Sequence, residues 1–141
     1  MNSAKLTGWA PEALGVLRIV TGLIFLEHGT QKLPAFPPGA PAGSGLAFPN
    51  LGAYAGIVEL VAGALITIGW MTRPAAFIAS GTMAVAYWYA HAPQNVFPVN
   101  NGGDAAILYC FVFLYFVFAG PGRVSVDGAA NRIEGTREVP A

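Results

Sequence analysis

Six ionisable residues stand out because their chain neighbours are apolar: Glu27, His28, Lys32, Glu59, His91 and Asp104. Carboxylates and imidazoles can exchange protons, and with an ammonium group they can hold a polar ligand by hydrogen bonds. Phe25, Tyr87, Phe111 and Tyr115 lie close enough in sequence to offer ring surfaces beside them. The set resembles no hydrolytic or nucleotide-binding motif. A P-loop, a nucleophile elbow and a dinucleotide fingerprint are all absent, because Gly120-Pro121-Gly122 lacks the flanking strand and helix such motifs need. Cys110 is the chain's one cysteine, so neither an intramolecular disulfide nor a thiolate metal site can form. No metal centre is expected.

The elements that must position these residues follow from composition. The 141 residues are 55% hydrophobic and 10% charged, with a mean hydropathy of +0.55. A soluble domain carries roughly 25% charged residues, so this chain has less than half the usual charge. Disorder is excluded, since it needs low hydrophobicity and high net charge. Seven basic and seven acidic residues cancel, which leaves no field to attract nucleic acid. The charges are also spaced apart. None falls between Pro74 and Ala90 or between Ala105 and Gly122, and Glu59 is alone between Leu51 and Met71. A lipid core needs about 20 apolar residues as a helix. The expectation is an all-α protein, a four-transmembrane-helix antiparallel bundle with helices at about 13–33, 51–71, 74–91 and 104–120. A short N-terminal segment, 1–12, precedes it, and a polar, loosely ordered tail, 121–141, follows.

The connections are equally legible. A Pro/Gly-rich stretch from Pro34 to Gly45 has no helical period and reads as a loop. Ala40-Pro41-Ala42 resembles a signal-peptide cleavage site, but Glu27, His28 and Lys32 interrupt the apolar core such a peptide requires. Thr72-Arg73-Pro74 is short enough to make a tight helical hairpin. Lys5, Arg73, Arg123, Arg132 and Arg137 all fall on one side of a four-span topology, with Arg18 near its edge. Basic loops stay cytoplasmic, so both termini are expected there.

That orientation brings the six ionisable residues to the outer half. Arg18, Thr21, Phe25, His28 and Lys32 share one face of the first helix. Gly52, Gly56, Glu59 and Gly63 share a face of the second, and the small-xxx-small spacing lets a neighbouring backbone approach. Glu59 should therefore point into the bundle, level with His28 and near Tyr87 or His91. Asp104, Leu108, Phe111, Tyr115 and Phe118 form an aromatic stripe on the fourth helix. Plainer readings stand beside these. Glu59 can be a structural acid, Lys32 a snorkelling interface residue, and Arg18 a marker of the cytoplasmic interface. His91 and Asp104 can serve helix ends, and the aromatic stripe can be bundle packing.

Several short motifs, taken in order, resemble the DoxX family of small bacterial membrane proteins. They are Leu17-Arg18, Gly22 to Leu33, Glu59-Leu60-Val61-Ala62-Gly63 with Gly69, Thr72-Arg73-Pro74, the Ala86-to-His91 helix end, Asn101-Gly102-Gly103-Asp104, and Gly120-Pro121-Gly122-Arg123 with Ser125-Val126-Asp127. Asp104 stands where the family more often has Glu. The resemblance implies a four-helix protein of the bacterial inner membrane. Some family members are subunits of a thiosulfate:quinone oxidoreductase, and others belong to membrane redox or thiol-stress systems.

Three functions compete. A quinone-linked redox subunit would use Glu59, His28 and His91 as the polar, proton-handling groups. Phe25, Tyr87, Asp104, Phe111 and Tyr115 would then surround the ring. Without a flavin motif or a cysteine cluster, electrons would come from a soluble partner protein. A proton-coupled transporter would use Glu59 or Glu27 as its membrane carboxylate. A non-catalytic anchor would hold a soluble enzyme through the tail. Haem bound between His28 and His91 has no further support in the sequence. The bilayer is the expected surrounding, and a second copy of the chain is a further candidate partner.

Overall fold

The computed structural model describes residues 3–38 and 48–130, and every element named among them is helical. The elements are α1 (Ser3–Gly8), α2 (Ala10–Lys32), α3 (Leu51–Ile68), α4 (Thr72–Ala86), α5 (Pro98–Asn101) and α6 (Asp104–Ala119). A π-helical turn, Tyr87–His91, continues α4. The all-α class is as the sequence predicts. The Ala40-Pro41-Ala42 stretch, Arg132 and Arg137 lie outside the described residues.

Local chemistry sets the helix ends. Pro11 occupies the first turn of α2, where a missing N–H costs nothing, and Lys32 stands in its last turn, where a cation suits the helix dipole. Asn50 caps α3 by accepting from Gly52 N at 2.8 Å. Gly69, at φ 71°, ends α3 in the left-handed conformation that glycine tolerates best. The third expected helix does not run to His91 as a regular α-helix. It widens after Ala86, and Ala92 N donates to Tyr87 O at 2.9 Å, five residues back.

The helices associate chiefly as two pairs, α2 with α3 and α4 with α6. Glycine makes the first pair close. A Cβ added at Gly29 would lie 2.7 Å from Leu60 N, and one at Gly63 would lie 2.8 Å from Leu26 Cα. These backbones touch because neither glycine has a side chain. Alanine does the same work between α4 and α6, where Ala75, Ala76 and Ala79 meet the fully buried rings of Phe113 and Phe116. Ser80 Oγ donates to Cys110 O at 2.8 Å across that seam.

Outward, the bundle shows Val20, Leu23, Val61, Phe77, Phe111 and Phe118, all exposed and spread over α2, α3, α4 and α6. So much apolar surface on a monomer would associate in water, and it suits lipid. Within the described residues α3 is 18 residues long and apolar enough to cross a membrane by itself, while the 16-residue α6 is apolar but shorter.

One end of the bundle is closed by the start of the tail, which is not loose over its described length. Arg18 is fully buried there. Its guanidinium donates to Pro121 O at 2.8 Å, Ile66 O at 2.6 Å, Thr67 O at 2.5 Å and also to Val124 O. Asp127 accepts from Met71 N and Thr72 N, both at 2.9 Å, and so caps α4 from the tail. Asp127 N returns a bond to Gly69 O at 2.9 Å.

Candidate functional site

At the opposite end α3 and α4, joined by the tight turn at 69–71, leave a cleft of about 1000 Å³. Its walls are mostly apolar, and α2, α3, α4 and α6 all contribute to it. Lys32 and Glu59 are the charged groups in its lining. The face predicted for Glu59 is the face observed, since Gly56, Glu59 and Gly63 are buried together. Glu59 is 2% exposed.

Its hydrogen-bond partner is one the sequence does not single out. Neither Tyr87 nor His91 bonds it. Lys32 Nζ donates to both carboxylate oxygens, at 2.7 and 2.8 Å. Lys32 is therefore the ion-pair partner of Glu59. A Cβ added at Gly56 would lie 3.1 Å from Lys32 Cβ, so the glycine face of α3 also gives the lysine room to reach the acid. Lys32 keeps 29% side-chain exposure, and two of the three ammonium hydrogens go to Glu59. The third has no acceptor among the described residues.

His28 lies one turn before Lys32 on the same face of α2 and lines the same cleft. Its imidazole stands edge-on to the ring of Tyr109, with centroids 5.9 Å apart and planes at 89°. Its nitrogens have no hydrogen-bond partner among the described residues. His28 also borders a smaller, more polar hollow of about 220 Å³ that holds Glu27 and Gln31. His91 reaches the large cleft too, but its Nδ1 is paired with Asn101 O at 3.0 Å. Asn101 in turn donates to Asn95 O at 2.8 Å and accepts from Gly103 N at 2.8 Å, which ties the 92–103 loop together.

The ring-binding expectations divide. Phe25 is fully buried beneath Tyr109, at 5.5 Å between centroids, and packs on Phe113 at 4.6 Å. It supports the floor of the site from below. Tyr87 is half-buried, pairs with Trp88 at 5.4 Å and packs near Gly103, outside the cleft lining. Asp104 is exposed at the start of α6. Phe111 and Tyr115 are 64% and 55% exposed, so the expected aromatic stripe faces away from the site. The inward face of α6 carries Ala106, Tyr109, Phe113 and Phe116 instead. Tyr109 and the Lys32 pairing are the residues sequence reasoning missed. The i, i+3, i+7, i+10 spacing of the inward set was available, but it competed with an equally regular outward set.

Among the described residues the helices leave a large apolar cleft lined by the Lys32–Glu59 ion pair and by an imidazole that has no hydrogen-bond partner there. The DoxX family model matches residues 13–92, which takes in α3, α4 and the π turn and nearly all of α2. An uncharacterised protein of Haemophilus influenzae is 41% identical over 126 residues, covering 87% of this chain and 94% of the relative. No solved structure matches the chain. The chain belongs to the DoxX family, and it is a small membrane protein.

Proposed function

We propose that this protein is a multi-pass subunit of a bacterial membrane redox or thiol-stress system and that its cleft binds a quinone. In this reading α2, α3, α4 with its π turn, and α6 cross the inner membrane. Residues 72–91 span about 30 Å at helical rise, which matches a hydrocarbon core. The shorter α6 is accommodated by local thinning of the bilayer. Arg73 and Arg123 lie at the Arg18 end, so both termini face the cytoplasm.

The observation that carries the reading is a pair of donors, on Lys32 and His28, that line an apolar cleft and have no acceptor among the described residues. A neutral ring bearing carbonyl oxygens fits such a site. It presents acceptors to the two donors and no charge that would have to be buried. Glu59 holds Lys32 in place and cancels its charge, so the base stays neutral overall. His28, with one ring nitrogen a donor and the other an acceptor when neutral, is the group placed to pass a proton to a bound oxygen. A quinone, when bound, supplies a ring that takes up two electrons and two protons, and the electrons come from a partner protein. A transport reading would need a path past Arg18, whose guanidinium is held by four carbonyls.

Equilibrium binding of a decyl-tailed benzoquinone to the protein in lipid nanodiscs tests this. His28→Ala removes a hydrogen bond worth roughly 0.5–1.5 kcal/mol net, so affinity should fall a few-fold to about tenfold. The melting temperature should hold, because His28 makes no hydrogen bond that the fold uses. Absence of saturable binding to the unaltered protein would refute the reading.

A further inference from the structure

Three of the helix-interior glycines, Gly22, Gly29 and Gly63, are explained by contact. A Cβ on any of them would lie 2.6–2.8 Å from the facing helix. Gly81 is different. It sits inside α4, where glycine weakens a helix relative to alanine, and a Cβ there would meet nothing within 4 Å. No packing need accounts for it. What it leaves empty is part of the large cleft, whose lining includes Gly81.

Gly81 lies nine residues from the start of α4, and Glu59 lies nine residues from the end of α3. Both helices leave the same turn, so the two residues stand at one level, about 14 Å from it at helical rise. Glu59 is at the closed base of the cleft. Gly81 is exposed, as are Tyr54 of α3 and Ile78 and Val85 of α4, which line the cleft with it. The cleft therefore opens sideways between α3 and α4, onto the face the bundle shows to lipid, and not only toward the loops. Its volume, at the upper end of small-molecule sites, exceeds what a single quinone ring fills.

We propose that the ligand enters this cleft from the lipid phase through a doorway at Gly81, and that its apolar chain stays in that doorway while the ring rests at Lys32 and His28. The inference rests on the quinone reading and adds the route, the need for a tail and the residue that controls both. A side chain at position 81 is the means of closing the doorway.

The test compares a decyl-tailed benzoquinone with the same ring lacking its tail, each titrated into protein in nanodiscs. Gly81→Leu should weaken the tailed ring about tenfold or more, since a chain forced against a filled doorway is overpacked. It should leave the tail-less ring within about twofold, a difference too small to reflect a lost contact. Ala55→Leu, on the α3 side of the gap, should reproduce the pattern and carries the test alone if Gly81→Leu does not fold. Gly81→Ala should melt no lower than the unaltered protein, since the added Cβ meets nothing within 4 Å. Equal loss of both rings, or loss of neither, overturns the doorway while leaving the quinone reading standing. Failure of the unaltered protein to bind either ring overturns that reading and this inference together. Displacement of the tailed ring by an equal concentration of a plain fatty acid would show a chain site with no ring recognition, and would overturn the inference.

Discussion

Removing Lys32 should damage this protein more than removing both members of its ion pair. The two groups are unequally buried, Glu59 being 2% exposed and Lys32 29%. In Lys32→Met the carboxylate loses both of its short bonds while it stays almost fully buried, and breaking a buried pair in this way costs about 3–5 kcal/mol. The remaining exposure of the lysine puts the expected loss near the lower figure. Glu59→Leu should cost less, about 1–2 kcal/mol, because a freed lysine chain can carry its ammonium to the cleft mouth. The double variant Lys32→Met/Glu59→Leu should return to within about 1 kcal/mol of the parent, as buried pairs replaced by apolar residues often do. The cycle therefore predicts a coupling of roughly 3–5 kcal/mol. Reversible unfolding of the four proteins in mixed micelles, followed by helical circular dichroism, measures it. Losses that simply add would show that the two groups do not depend on each other, and would refute the placement of Lys32 inside the bundle.

Two further expectations concern the closed end. Arg18→Lys keeps the charge but offers three donors in place of five, so carbonyls among Ile66, Thr67, Pro121 and Val124 go unpaired. A loss of about 2–3 kcal/mol should appear in the same unfolding assay, and unchanged stability would count against Arg18 as the clasp. Asp127→Ala removes the cap on α4 and should cost about 1 kcal/mol. Faster hydrogen exchange at Met71 and Thr72, without change at Gly29 or Gly63, would locate the effect, and protection retained at both amides would contradict it.

What could be read from the residues alone follows from how many constraints each helix carries. On α3 a single acid lies among glycines spaced three and four apart, and only one face can be buried without placing Glu59 in lipid. Its orientation was therefore legible. On α6 every side is apolar, so lipid and core exert the same pull on both faces, and periodicity could not choose between Phe111 with Tyr115 and Tyr109 with Phe113. The choice is made by small residues on another helix, since Ala75, Ala76 and Ala79 of α4 receive the inward rings. That information lies in pairing, not in the local sequence. The Lys32–Glu59 bond was hidden for a related reason. A lysine near a helix end reads as an interface group until its partner helix is known to cross within reach.

The same consideration explains Arg18, which shares a face of α2 with His28 and Lys32 and yet has a different fate. Along that face the helix carries a cation near each end. At the Arg18 end the neighbouring chain turns back, and the last carbonyls of α3, with those of Pro121 and Val124, converge on the guanidinium. A planar group with five hydrogens suits that many acceptors, and every such bond fastens one segment to another. At the Lys32 end the acceptors are two oxygens of one carboxylate, leaving an ammonium hydrogen and a whole imidazole without protein partners among the described residues. A buried donor without an acceptor costs free energy unless water or a ligand supplies one. Arginine thus seals the end where four carbonyls take up its donors, and the lysine–histidine end stays open to whatever brings oxygen atoms to it. The polarity of the site, closed toward the tail and receptive toward the loops, is written in the order of Arg18, His28 and Lys32 along one helical face.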